Sequence, residues 1–166
     1  MGKRHGVIAV LAVVATMIVT ASLWLPAALA GDTQVHVFDP EGKYSKLIDI
    51  GKPGFSAGDQ IVEIHTLLDP TDGSNAGKIY TQATILKTVK DDDDILTVHC
   101  SVVLPSGTIA FYGRVDYAAA NTPSGASLPV TGGTGDYELA RGTVNIVFDT
   151  LNGDSGSMLT FDLTTT

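Results

Sequence analysis

Cys100 is the only cysteine among 166 residues, so no disulfide can form within the chain and its fold relies on packing. Positive charge is scarce: ten Lys and Arg stand against eighteen Asp and Glu, a formal net charge of −8. An acidic chain of this kind has no electrostatic footprint for nucleic acid, and anionic membrane surfaces repel it. Solubility is the plain reading of the charge. Helical periodicity is also missing: after residue 30 no segment keeps a 3.6-residue apolar repeat long enough for a helix. Gly132, Gly133 and Gly135 crowd together, yet no lysine and no long helix follow them, which argues against a phosphate-cradling loop. The chain has no internal repeat, no linker and no second domain.

Metal and protease chemistry lack their patterns too. Acidic residues gather at Asp91 to Asp94, Asp69 to Asn75 and Asp149 to Asp154. None has the spacing or the terminal glutamate of a calcium loop, and adjacent carboxylates usually form solvated turns. The last of these reads as a hairpin turn. No metal and no cofactor is expected. Thr97-Val-His-Cys100 and Gly153-Asp-Ser-Gly156, with Asp116 between them, echo the order of a serine-protease triad. A triad is defined by geometry rather than order. Only ten residues follow Gly156, too few for the half-barrel such an enzyme needs after its serine.

What is present begins with an export signal. Lys3 and Arg4 precede a continuous apolar run from Val7 to Leu25, and Ala28-Leu-Ala30 has the small-x-small form of a cleavage site. Cleavage after Ala30 is expected to leave residues 31–166 as a single secreted domain, with a formal charge of −10 and no membrane segment; an uncleaved membrane anchor is the alternative reading of the same apolar run. Eight strands are expected: Gln34 to Asp39, Gln60 to Asp69, Lys78 to Val89, Ile95 to Leu104, Thr108 to Tyr117, Leu128 to Thr131, Thr143 to Asp149 and Ser157 to Leu163. Each is rich in β-branched or aromatic residues and bounded by Gly, Pro or Asp. Short links favour antiparallel neighbours, and closing the sheet removes its edges. The class is all-β.

Three segments carry a resemblance: Gly58-Asp-Gln opening a strand, Leu104-Pro-Ser-Gly-Thr-Ile109 joining two strands, and Thr131-Gly-Gly-Thr-Gly-Asp-Tyr-Glu-Leu-Ala-Arg-Gly142. Together they resemble the barrel family of allene oxide cyclases and dirigent proteins, and the last is the most specific. The resemblance implies a small antiparallel eight-stranded β-barrel of lipocalin-like architecture with a mostly apolar interior, assembled as a homodimer or homotrimer. The glycines read as a sharp reversal between strands, followed by about one helical turn from Asp136 to Ala140. Tyr137 is expected to plug the barrel end and Arg141 to meet nearby carbonyls.

In plant allene oxide cyclases, as the resemblance implies, a glutamate and an asparagine on the first strand, a proline on the second and a cysteine on the third surround the substrate. By motif order those places fall here on His36, Phe38, Val62 and Ala83, so none is retained, and Cys100 lies one strand further on. Carrying that phase forward points His36, Phe38, Val62, Ile64, Thr81, Ala83, Ile85, Thr97, His99, Ser101, Phe111, Val115 and Tyr117 inward. Glu63, His65, Arg114 and Asp116 then point outward. A slip of one residue would exchange the two sets. Within the inward set His99 and His36 are the candidate catalytic residues, with core histidines as the plain alternative. Phe38, Val62, Ala83, Phe111, Val115 and Tyr117 are the candidate ligand contacts.

Two functions of different class follow. The first is a cofactor-free cyclase or isomerase that holds a small apolar molecule in a productive shape, with a histidine moving a proton. The second is a non-catalytic carrier, or a dirigent-type scaffold that orients an intermediate made by another enzyme. Two polar groups converging in an apolar cavity would favour the first.

Overall fold

The computed structural model describes residues 31–165, apart from 41–43, 51, 89–93, 121 and 123. The expected export signal and Asp91 to Asp93 lie outside the described residues. Along the chain come β1 (Gly31–Pro40), β2 (Ser45–Ile48), β3 (Gln60–Leu68), β4 (Asn75–Lys87), β5 (Ile95–Leu104) and β6 (Gly107–Asp116). A single helical turn, α1 (Tyr117–Ala120), leads to β7 (Ala126–Gly135), β8 (Arg141–Leu151) and β9 (Asp154–Thr165). All eight expected strands are there. β2 is an addition: its four residues are all exposed, so they carry no alternation for the sequence to display.

Every neighbouring pair is antiparallel, in the order β1-β9-β8-β7-β6-β5-β4-β3, and β1 returns to β3 through Phe38 and Leu68. Those eight strands make a closed barrel. β2 lies on the same edge of β3 as β1 does, pairing Ser45 to Ile48 with Glu63 to Gln60. The turn between β8 and β9 is Asn152-Gly153, with φ of 54° and 91°, the left-handed pair that tight hairpins favour. That matches the expected hairpin. The Asp69–Asn75 carboxylates serve their own turn: Asp69 accepts from the Thr71 amide and Asp72 from the Ser74 amide, each at 2.8 Å.

The glycine corner differs from its expectation in one respect. β7 does not reverse at the glycines but runs through them, pairing Gly133 with Ile109 and Gly135 with Gly107. A Cβ on Gly133 would sit 2.3 Å from the Thr108 carbonyl oxygen and 2.5 Å from that of Tyr137, so only glycine allows this approach. The reversal comes afterwards, in the turn at 136–139. Tyr137 is buried there and accepts a 2.9 Å hydrogen bond from the Ser106 hydroxyl, while Arg141 donates to the Ala140 carbonyl at 2.7 Å. Both match their expected roles.

Residues directly opposite on antiparallel strands share a face. On β4 the inward set is Ile79, Thr81, Ala83 and Ile85; across from these lie His65, Glu63 and Ile61 of β3, and Val102, Cys100, Val98 and Leu96 of β5. Phe111 and Val115 face inward on β6, opposite Cys100 and Leu96. The expected phase therefore holds on β4 and β6 and is one residue out on β1, β3 and β5. β3 reads Ile61-Val-Glu-Ile-His-Thr-Leu-Leu68, apolar on both faces, so hydrophobicity leaves its phase open. Phe161, Ile109, Val102 and Val144 are fully buried in the packed part of the interior. Each such side chain contributes about 1.5–3 kcal/mol by leaving water.

Candidate functional site

β6 runs from the glycine corner at Gly107 to the opposite end at Asp116, and towards that far end the barrel is hollow. The cavity has a volume of about 700 Å³. Its walls come from short inward side chains, Ala83, Thr81, Cys100, Ala126 and Ser157, set among Leu96, Val98, Val115, Ile146 and Leu159. Phe111 is shared with the packed half, where its ring meets Phe161 edge-on at 5.9 Å. Tyr117, Asp94, Leu47 and Phe55 also line it.

The position of Phe55 depends on a buried carboxylate. Asp59 is fully buried and accepts from the Ile50 amide at 2.6 Å and from the Ser56 amide and hydroxyl at 2.7 and 3.2 Å. Those donors, the Ile50 amide foremost, hold its carboxyl below the usual carboxylate range. Gly58 donates to Ile85 and Ile85 to Asp59 through the backbone, which ties the same loop to β4. The Gly58-Asp-Gln motif is thus a loop anchor at the strand entrance.

Polar groups converge inside the cavity wall. Asp39 ends the inward row of β1 opposite Ser157, and its Oδ1 lies 2.8 Å from Nδ1 of His65. Both side chains are largely buried, at 17% and 11% exposure. Burial pushes the Asp39 carboxyl up to about 6, against the opposing pull of His65, and the nearby Glu63 charge adds to the rise. A carboxyl poised there can give or take a proton near neutral pH. The other ring nitrogen of His65, Nε2, is buried without a hydrogen-bond partner among the described residues, so Asp39 alone orients the ring. Cys100 sits 3.5 Å from the Thr81 hydroxyl. Burial pushes its thiol up to about 11, Thr81 opposing and the charges of Asp39 and Glu63 reinforcing, so it stays protonated and un-nucleophilic at neutral pH.

Of the residues singled out from sequence, Ala83, Phe111, Val115 and Tyr117 line the cavity. Phe38 and Val62 do not: Phe38 is buried on the other face of β1, opposite Met158, and Val62 lies in a shallow groove on the outer wall. His36 and His99 are corrected in position as well. His36 is exposed on the outer wall between Thr160 and Gln34, and His99 is exposed with its ring 4.1 Å from that of Tyr112. Glu63 and His65, expected outside, are inside, and Arg114 is exposed as expected. The missed signal lay in β5: Leu96, Val98, Cys100 and Val102 are its apolar alternates, whereas Thr97, His99 and Ser101 are polar. Reading that strand by itself gives the observed phase and, through pairing, puts Glu63 and His65 inside.

A model of the allene oxide cyclase barrel-like domain matches residues 39–156. Among solved structures the chain is similar to a pyocyanin demethylase, at 18% identity over 79% of this chain and 99% of the other, with a TM-score of 0.64. A pterocarpan synthase dirigent protein matches at 16% identity over 81% of this chain and 88% of the other, with a TM-score of 0.63. A Diels-Alderase from Streptomyces koyangensis matches at 17% identity over 84% and 71%, with a TM-score of 0.58. No curated protein matches the chain. At these identities the likeness speaks for the fold, and the neighbours' differing activities show how little the fold dictates chemistry.

Proposed function

The chain belongs to the allene oxide cyclase barrel-like family, and from that premise we propose that it is an exported, cofactor-free barrel that binds a small apolar molecule and directs its cyclisation or isomerisation. One observation carries the reading: an apolar cavity of about 700 Å³ whose wall holds a carboxyl, Asp39, poised near neutral pH beside His65. The apolar wall fixes the shape of a flexible ligand, which supplies the entropic part of the barrier. Asp39 protonates the group on which negative charge develops, and the resulting carboxylate takes a proton from a neighbouring carbon. Nothing is consumed, as an isomerisation requires. His65 holds the carboxyl in place and stabilises its charged form. The apolar run before Ala30 supports export, and the family supports a homodimer or homotrimer.

Native mass spectrometry of the protein released gently from its producing culture tests the first half of this reading. A reproducible small-molecule adduct supports it; no adduct, together with no binding of a hydrophobic fluorescent probe, removes it. Turnover of the identified ligand tests the second half. Asp39→Asn lowers the rate by about 10²–10⁴-fold if Asp39 is the proton carrier. Full ligand binding with no turnover by the native protein would assign it to the carriers and scaffolds, as its dirigent neighbours suggest.

A further inference from the structure

We infer that the cavity takes an apolar molecule bearing a basic nitrogen and rejects carboxylates, with Asp39 and Glu63 as the subsite for the nitrogen. This rests on the ligand-binding reading above and adds the ligand's charge class to it. The argument is a census of the wall. Its charged side chains are Asp39, Glu63 and Asp94, and none of the described residues lining it is Lys or Arg. His65, on the same inward face, has Nδ1 on Asp39. A carboxylate ligand drawn from water into this space would meet like charge and, among the described residues that line it, no Lys or Arg to pair with, which is costly at low dielectric.

Asp39 and Glu63 are also placed to receive a cation. Glu63 faces the cavity opposite Thr81 and makes no hydrogen bond or ion pair among the described residues. Asp39 spends Oδ1 on His65, which leaves Oδ2 unclaimed among them. An ammonium or protonated ring nitrogen placed between Glu63 and Oδ2 of Asp39 would gain charge-assisted hydrogen bonds to both. Phe55, Phe111 and Tyr117 put aromatic rings on the same wall, a surface that accepts organic cations and repels organic anions. Apolar walls with an acidic, aromatic interior suit an amine or nitrogen heterocycle better than a fatty acid.

The test is competition for the cavity at physiological salt, with N-phenyl-1-naphthylamine as the neutral reporter. Decylamine, decanol and decanoate present one chain with three head groups. The amine is expected to displace the reporter at roughly tenfold or more lower concentration than the carboxylate, with the alcohol between them. Glu63→Gln, and the double change with Asp39→Asn, should bring the amine down to the alcohol. Asp162→Asn, on the exposed outer face, should leave the order unchanged and so controls for the general acidity of the chain. Because Glu63 has no hydrogen-bond or ion-pair partner to lose among the described residues, its variant carries the test even if the double variant fails to fold by circular dichroism. Decanoate binding as well as decylamine overturns the inference and leaves the ligand-binding reading standing. Survival of the amine preference in folded Glu63→Gln also overturns it. Failure of the reporter to bind at all removes the cavity reading, and the inference with it.

Discussion

The barrel is two different objects joined at Phe111. Towards the glycine corner the inward positions hold Phe161, Ile109, Val102, Leu163 and Tyr137, all buried, and the space is full. Towards Tyr117 the same strands present Ala83, Thr81, Cys100 and Ser157, and the space is hollow. Backbone geometry is shared, since each strand of β4, β5, β6 and β9 contributes to both halves. Shorter side chains at several inward positions contribute to the difference, in a barrel of about eight strands, which stands at the boundary between filling itself and holding one ligand. A second contrast follows the first. Among the described residues the one buried charged side chain is Asp59, in the loop that carries Phe55, whereas the hollow half carries three carboxylates on its wall.

The comparison can be broken most forcefully from the packed side. Phe161→Ala should cost about 3–5 kcal/mol in urea denaturation, because neighbours interlocked on all sides cannot collapse into the space. A loss below about 1 kcal/mol would mean the two halves are packed alike. Next comes the pH response of the hollow half. Asp39 titrates near 6 in the fold against an ordinary 3.8. Between those values the folded chain keeps a proton that the unfolded chain has released. Its contribution is therefore fully present below about 4 and is lost as pH rises through 6, a change of order 1–3 kcal/mol. Asp59 acts in the opposite sense: its depressed titration adds stability above its ordinary value that is lost as pH falls. The measurement is the difference between wild type and Asp39→Asn across pH 4 to 7, which isolates the first slope. An identical slope in both proteins would show that the carboxyl is not poised as described.

Ala83→Leu sharpens the contrast from the other direction. In a filled core the added carbons would force strain of about 1–3 kcal/mol; here they enter open space and should change stability by less than about 1 kcal/mol while weakening reporter binding by tenfold or more. Unchanged binding would place the ligand elsewhere. The smallest effect belongs to the outer wall. His36→Ala and His99→Ala should each stay within about 0.5 kcal/mol of wild type and leave reporter affinity unaltered. A large loss of binding in either would return the site to the face first expected for it.

Legibility followed the physics of each signal. Strand identity was readable because β-branched residues and glycine or proline boundaries act locally, and the corner was readable because Gly133 and Gly135 occupy places where a Cβ would collide. Facing was readable where one side of a strand is clearly polar. β6 met that condition; β3, apolar at Ile61, Val62, Ile64 and Leu67, did not. The pair that matters most, Asp39 with His65, joins strands 26 residues apart, and no local pattern announces a contact made by closure of the sheet. β2 stayed invisible because strand pairing, rather than burial, defines it.

Closure itself has a mechanical consequence. β1 is zipped to β9 over ten pairs, yet among the described residues it pairs with β3 at Phe38 and Leu68 alone, so the cylinder is a rolled sheet with one rivet. Asp39 and His65, one on each side of that join, act as a clasp beside the rivet. The wall will unroll there before it tears elsewhere, and deuterium should reach the β3 edge earlier than the β9 edge of β1. Any proton that Asp39 lends to a bound molecule is borrowed from the fastening that keeps the cylinder shut.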